Sequence, residues 1–139
     1  MLTNQEAQIP KNLVSLAKKT PNITAGIVCA NHDTSIESAK NAVELNLIRP
    51  IFIGDKNAII KKAEKFKWDI SQYEIIDLSN EKEAAIAGAE LARDNKIKVM
   101  IKGNLHTDVL MKIYLKKEFG LIRGKRLSHI WHMTLTEND

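Results

Sequence analysis

Five short apolar runs alternate along this chain with four stretches of helical periodicity, and that alternation restricts the fold more than any other feature. The runs fall at residues 25–30, 50–53, 73–78, 98–102 and 128–135. Between them, Ile36, Ala39, Val43 and Leu47 recur on one helical face, and Ile59, Ala63 and Phe66 do so over residues 56–66. Residues 81–94 and 107–117 carry the remaining helical patterns. A strand–helix series of this kind builds a parallel sheet with right-handed crossovers and helices on its faces. "AGIVCA" and "PIFI" are apolar at nearly every position, as strands covered on both faces must be. The expected class is therefore α/β, a three-layer sandwich around a mainly parallel sheet of about five strands.

Local signals support the element boundaries. Asn80 stands where an N-cap is expected, and Thr34 with Glu37 has the spacing of a capping box. Ala84, Ala85, Ala87, Gly88 and Ala89 make one helix narrow enough to lie close on a sheet. Residues 1–22 read as a helical lead-in, broken by Pro10 and closed at Pro21, with Leu13, Leu16 and Ala17 as an apolar stripe. No linker, repeat or low-complexity segment interrupts the pattern. One domain over residues 1–139 is expected, with the α/β unit occupying 23–139.

A chain of 139 residues with 44% hydrophobic content can bury a real core. It has no apolar stretch long enough to span a bilayer and no basic-then-apolar leader, so no membrane role is expected. The single cysteine, Cys29, lies in an apolar run and reads as a buried small hydrophobe. That usage suits a reducing, cytoplasmic setting. The formal net charge of +4 raises the question of nucleic acid. The basic residues fall into two groups, one at Lys61, Lys62, Lys65 and Lys67 and one at Lys116, Lys117, Arg123, Lys125 and Arg126. There are few aromatics to stack on bases and no recognisable binding motif, so no specific nucleic-acid partner is expected.

Ligands of open parallel sheets sit beyond the carboxyl ends of the strands. Of the loops there, "IKGNLHTDVLMK" at residues 101–112 is the richest. Gly103 and Asn104 let the backbone come close to a ligand, and Thr107 reads as the N-cap of the next helix. The first amides of a helix are unpaired and favour an anion. Lys112 projects from the second turn, and His106 is the histidine best placed for a local hydrogen bond. Gly103, Asn104, His106, Thr107 and Lys112 are thus the candidate phosphate or coenzyme site, against the plain alternative of an ordinary capped helix with an exposed lysine. There is no Walker loop and no G-x-G-x-x-G after the first strand. His129 and His132, three apart in an expected strand, would face opposite sides and form no metal site.

Three segments together resemble one family. "AVELNLIRPIFIGD" (42–55), "MIKGNLHTDVLMK" (100–112) and "GLIRGKRLSHIWHM" (120–133) are similar, in this order and spacing, to the N-terminal part of phosphate acetyl/butyryltransferases. The likeness spans residues 25–133 and is greatest to the short branch of the family and to the version fused to an enoyl-CoA hydratase-type domain. It implies transfer of an acyl group between coenzyme A and phosphate, by thiolate attack on the acyl phosphate carbonyl or the reverse, in a cleft between two α/β domains. It implies no separate cofactor, coenzyme A being a substrate. Gly103, Asn104 and Thr107 would line the phosphate side. Lys112 stands where many members have an arginine, giving a point charge in place of a planar fork. His132 departs from the apolar residue usual there.

The resemblance also implies an isocitrate/isopropylmalate dehydrogenase-like half, truncated, since the family's serine, arginine and aspartate of catalysis lie beyond residue 139. No catalytic residue is then expected in this chain, and little activity from it alone. A homo-oligomer or a separate C-terminal half is expected to cover its open edge. The second reading is a non-catalytic coenzyme A- or phosphate-binding module that keeps the fold.

Overall fold

The computed structural model describes residues 9–131. Four strands, β1 (Ile23–Val28), β2 (Ile48–Gly54), β3 (Ile75–Asp77) and β4 (Val99–Lys102), form a parallel sheet in the order β3-β2-β1-β4. Helices α1 (Lys11–Ala17), α2 (Asp33–Glu44), α3 (Lys56–Lys65), α4 (Glu81–Arg93) and α5 (Thr107–Tyr114) alternate with them. The chain steps outward from β1 through β2 to β3, then returns across the sheet to place β4 on the other side of β1. With crossovers of one hand, a reversal of direction moves the connecting helix to the opposite face. Accordingly α2 and α3 cover one face, and α4 and α5 the other.

Alternation along the strands feeds two cores. Ile27 and Phe52 point to the α2/α3 side with Ile36, Ile59 and Ala63. Val28 and Ile53 point to the α4/α5 side with Ala84, Ala85, Ala89 and Ile113. The small residues of α4 serve this packing, because a Cβ on Gly88 would stand 2.9 Å from the Val28 side chain.

Helix starts divide the sequence expectations. Asn80 caps α4 as expected, its side chain accepting from the Lys82 and Glu83 amides. The capping box at Thr34 and Glu37 is not formed. The first helical bond runs from Ile36 N–H to the His32 carbonyl, which makes His32 the N-cap and puts Thr34 inside the helix. Asp55 caps α3 by accepting from Ala58 N–H, and Asp77 accepts from Lys56 N–H beside it.

Among the described residues the expected sheet of about five strands has four. Residues 121–131 follow a 3-10 turn at Lys117–Phe119 and hydrogen-bond to no strand, while residues 132–135 lie outside the described residues. Without a ladder partner, Ile130 and Trp131 remain 86% and 76% exposed. The last helix also stops earlier, at Tyr114 rather than residue 117. The lead-in keeps one short helix that buries none of its side chains; Leu13 and Leu16 are exposed.

Candidate functional site

The reversal between β1 and β4 creates a switch point, where the loops leaving two adjacent strands diverge to opposite faces of the sheet. Crevices of this kind are where open α/β sheets take ligands. Here the two loops are laced together. Gly103 N–H donates to the Val28 carbonyl and Asn104 N–H to the Cys29 carbonyl, both at 2.8 Å. Cys29 adopts a left-handed φ of +56°, which turns the chain out of β1, and its side chain is buried. Burial pushes its thiol pKa up, Glu81 adds to the shift, and Lys102 opposes it. Gly103 is needed for the lacing itself. A Cβ there would lie 2.3 Å from the Cys29 carbonyl oxygen and 2.8 Å from that of Val28.

Beside this junction, on the α2 face, lies a cleft of about 260 Å³. One wall is the start of α2, with His32, Thr34, Ser35 and Ser38. The other is the end of β4, with Lys102, Gly103 and Asn104. Ile27, Ala39, Ala42, Ile48 and Ile101 contribute apolar surface, extending the cleft beneath α2. A larger depression of about 750 Å³ runs along the far edge of the sheet past Trp68 and Tyr73, away from the switch point.

The sequence-selected residues therefore separate into two groups. Gly103 and Asn104 line the cleft. His106, Thr107 and Lys112 do not; they belong to the α4/α5 side. Thr107 is not the N-cap of α5. His106 holds that position, makes no side-chain cap bond, and Thr107 is the first helical residue. The anion expected at these amides is partly anticipated by the protein's own carboxylate. Glu81 Oε2 accepts from His106 N–H at 3.4 Å and lies 2.9 Å from His106 Nδ1. Lys112 pairs with Asp108 at 2.9 Å, one turn back on the same helix. Neither Glu81 nor Lys102 was singled out from the sequence as a site residue. The 25-residue separation of Glu81 and His106 leaves no local pattern to read.

This pairing has a measurable consequence. The hydrogen bond to Glu81 raises the His106 pKa above its ordinary 6.5, and the same bond lowers that of Glu81 below 4.5. A raised histidine pKa stabilises the fold below pH 6.5 and loses that contribution as pH rises through the folded value. A lowered carboxyl pKa stabilises above pH 4.5 and loses it on acidification. The pair thus contributes most between these limits. An NMR titration of the His106 ring is expected to give a midpoint above 6.5 that Glu81→Gln brings back down. A midpoint at or below 6.5 in the unmodified chain would contradict the contact.

On the cleft side, the carboxylate nearest in sequence is drawn away. Asp33 pairs with both Lys62 and Lys65 of α3, and these hydrogen bonds lower its pKa to about 2. That clamp gives part of the first lysine group a structural role between α2 and α3.

No protein-family model matches the chain. Curated relatives do. A phosphate butyryltransferase from Clostridium beijerinckii is 32% identical over 118 residues, covering 85% of this chain and 39% of that protein. A phosphate acetyltransferase from Rickettsia felis is 35% identical over 101 residues, covering 73% and 29%. The chain belongs to the phosphate acetyl/butyryltransferase family. It spans 29–40% of the length of its curated relatives, as its N-terminal portion would.

Solved phosphotransacetylases share the fold. One from Streptococcus pyogenes aligns with a TM-score of 0.64 at 14% identity, covering 78% of this chain and 42% of that one. The EutD phosphotransacetylase from Staphylococcus aureus aligns with a TM-score of 0.56 at 17% identity, covering 70% and 38%. Two of the segments that carry the acyltransferase likeness lie within the described sheet and its helices. Residues 100–112 are the end of β4, the laced turn and the start of α5, and residues 42–55 run from α2 through β2. The third segment lies partly outside the described residues, His132 with it.

Proposed function

We propose that this chain supplies one wall of a cleft in which acyl-CoA and phosphate exchange to give acyl phosphate and coenzyme A. The observation that carries the reading is the position of the family-like turn: residues 102–107 leave the carboxyl end of β4 at the switch point of the sheet. Gly103 and Asn104 face the ligand within the cleft. His106, Thr107 and Lys112 lie outside the cleft on the α5 side, where Lys112 would meet a ligand extending past the turn only by leaving Asp108. Coenzyme A enters as a substrate and no separate cofactor is involved. The layered sheet is then one half of an isocitrate/isopropylmalate dehydrogenase-like pair.

Electrostatic catalysis needs donors fixed all around the developing charge. One wall cannot supply them, so the reading assigns binding to this chain and the chemistry to a partner. That partner is the remaining length of a relative, joined to this chain or carried on a separate polypeptide. The open edge of β4, with Val99 exposed, and the exposed Leu127 beside it are where such a partner would rest. Among the described residues no helix is long and apolar enough to cross a membrane. A cytoplasmic setting follows from the same reading.

Two measurements test it. Thiol release from acetyl-CoA and butyryl-CoA in phosphate buffer reads turnover, and calorimetry with coenzyme A and with phosphate reads binding. Binding heat with no turnover above the blank is expected. Turnover by the chain alone would overturn the one-wall assignment. Absence of heat with both ligands would overturn the binding role. Turnover restored by adding the remaining part of a relative separates this reading from a non-catalytic module.

A further inference from the structure

Resting on that reading, we infer that Lys102, His32, Thr34 and Ser38 grip a phosphoryl group in the switch-point cleft, with the apolar part of the same ligand against Ile27 and Ile101. The first support is the composition of the walls. On an apolar floor of Ile27, Ala39, Ala42, Ile48 and Ile101, the cleft carries one ammonium, one imidazole, three hydroxyls and one carboxamide, and no carboxylate. Asp33, which directly precedes Thr34, is held away by Lys62 and Lys65.

The second support is the state of Lys102. Among the described residues its ammonium pairs with no acid and reaches only the Gly103 carbonyl, at 3.4 Å. Lys112, the lysine that sequence reading favours, is already paired. Of the hydroxyls, Ser35 spends its proton on the His32 carbonyl at 2.8 Å. Thr34 and Ser38, one helical turn apart, retain theirs for a ligand oxygen.

The third support is size. About 260 Å³ falls below the roughly 300–1,000 Å³ of pockets that enclose a drug-sized ligand. The cleft holds one end of a molecule: a phosphoryl head with a short apolar neighbour. That head can come from free phosphate or from a phosphate of coenzyme A.

Calorimetric titrations of the full chain with inorganic phosphate, coenzyme A and phosphate-free pantetheine distinguish these sources. Lys102→Gln is expected to weaken phosphate or coenzyme A binding about tenfold, as loss of a charged hydrogen bond does. Lys102→Arg should stay within about threefold of the parent because it keeps the charge. Thr34→Ala with Ser38→Ala should cost about fivefold, and Lys112→Gln less than either. Pantetheine should bind all of them alike. A Lys102→Gln effect on coenzyme A alone assigns the head to its phosphate; an effect on both ligands assigns it to any phosphate. If the parent chain binds while Lys102→Gln and the double variant match it within twofold, this assignment is wrong and the acyltransferase reading stands. If neither phosphate nor coenzyme A binds the parent, both fall.

Discussion

Gly103→Ala is expected to lower the unfolding free energy by about 3 kcal/mol, the upper range for forcing an extra atom into a packed site. The reason lies in what the new Cβ would meet. Its three nearest neighbours, the Cys29 carbonyl oxygen and carbon and the Val28 carbonyl oxygen, are all backbone. No side-chain rotation relieves such a clash. Relief requires separating the ends of β1 and β4, which breaks the two backbone hydrogen bonds that lace the switch point. Gly120→Ala makes the useful contrast. Its φ is +61° but nothing lies within 4 Å, so only the left-handed backbone opposes a side chain, at about 1 kcal/mol. Urea unfolding followed by circular dichroism reads both. A loss below 1 kcal/mol for Gly103→Ala would mean that the two loops are not held together.

Phe52→Ala should cost about 4 kcal/mol, within the usual range for deleting a buried aromatic ring. Phe52 is fully buried in the central part of β2 and touches both aromatic neighbours edge-on, Trp68 at 5.7 Å and Tyr73 at 6.2 Å between ring centres. These contacts tie the loop after α3 to the sheet. Removing the ring leaves a void between two layers and deprives Trp68 of its wall. Against a typical total stability of roughly 5–15 kcal/mol, that loss brings the chain close to its folding threshold. The chain has two tryptophans, and Trp131 is already 76% exposed. A red shift of emission below the unfolding midpoint would therefore report Trp68. Phe52→Leu, which refills most of the space, should lose under about 2 kcal/mol. Equal losses for alanine and leucine would contradict the edge-on packing.

The layered α/β architecture was legible because β1, β2 and β4 are apolar runs bounded by turn residues, and the intervening helices repeat their apolar positions. A fifth run was not a strand over its described residues. Apolar content marks a segment that could pair, but pairing needs a neighbour, and Ile130 and Trp131 find none there. Asn80 could be read as a cap because it stands directly before its helix. Thr34 could not, since the helix starts two residues earlier, on the His32 carbonyl. At the site, Gly103 was legible as a point of close backbone approach, although the approach is to the Cys29 carbonyl. Lys112 could have been discounted from sequence, because Asp108 stands four residues before it and such pairs meet on a helix. The bond between Glu81 and His106 had no such signal. It exists because α4 and α5 begin side by side at the same end of the sheet, which only the strand order decides.

The central claim is that the switch-point cleft is the ligand-facing surface of this chain. The most direct measurement is the change in amide NMR shifts on adding coenzyme A to isotope-labelled protein. The largest shifts are expected on Lys102, Gly103 and Asn104 and on His32 to Ser38 across the cleft. Shifts confined to the Trp68 and Tyr73 depression, with the two laced loops unmoved, would contradict it.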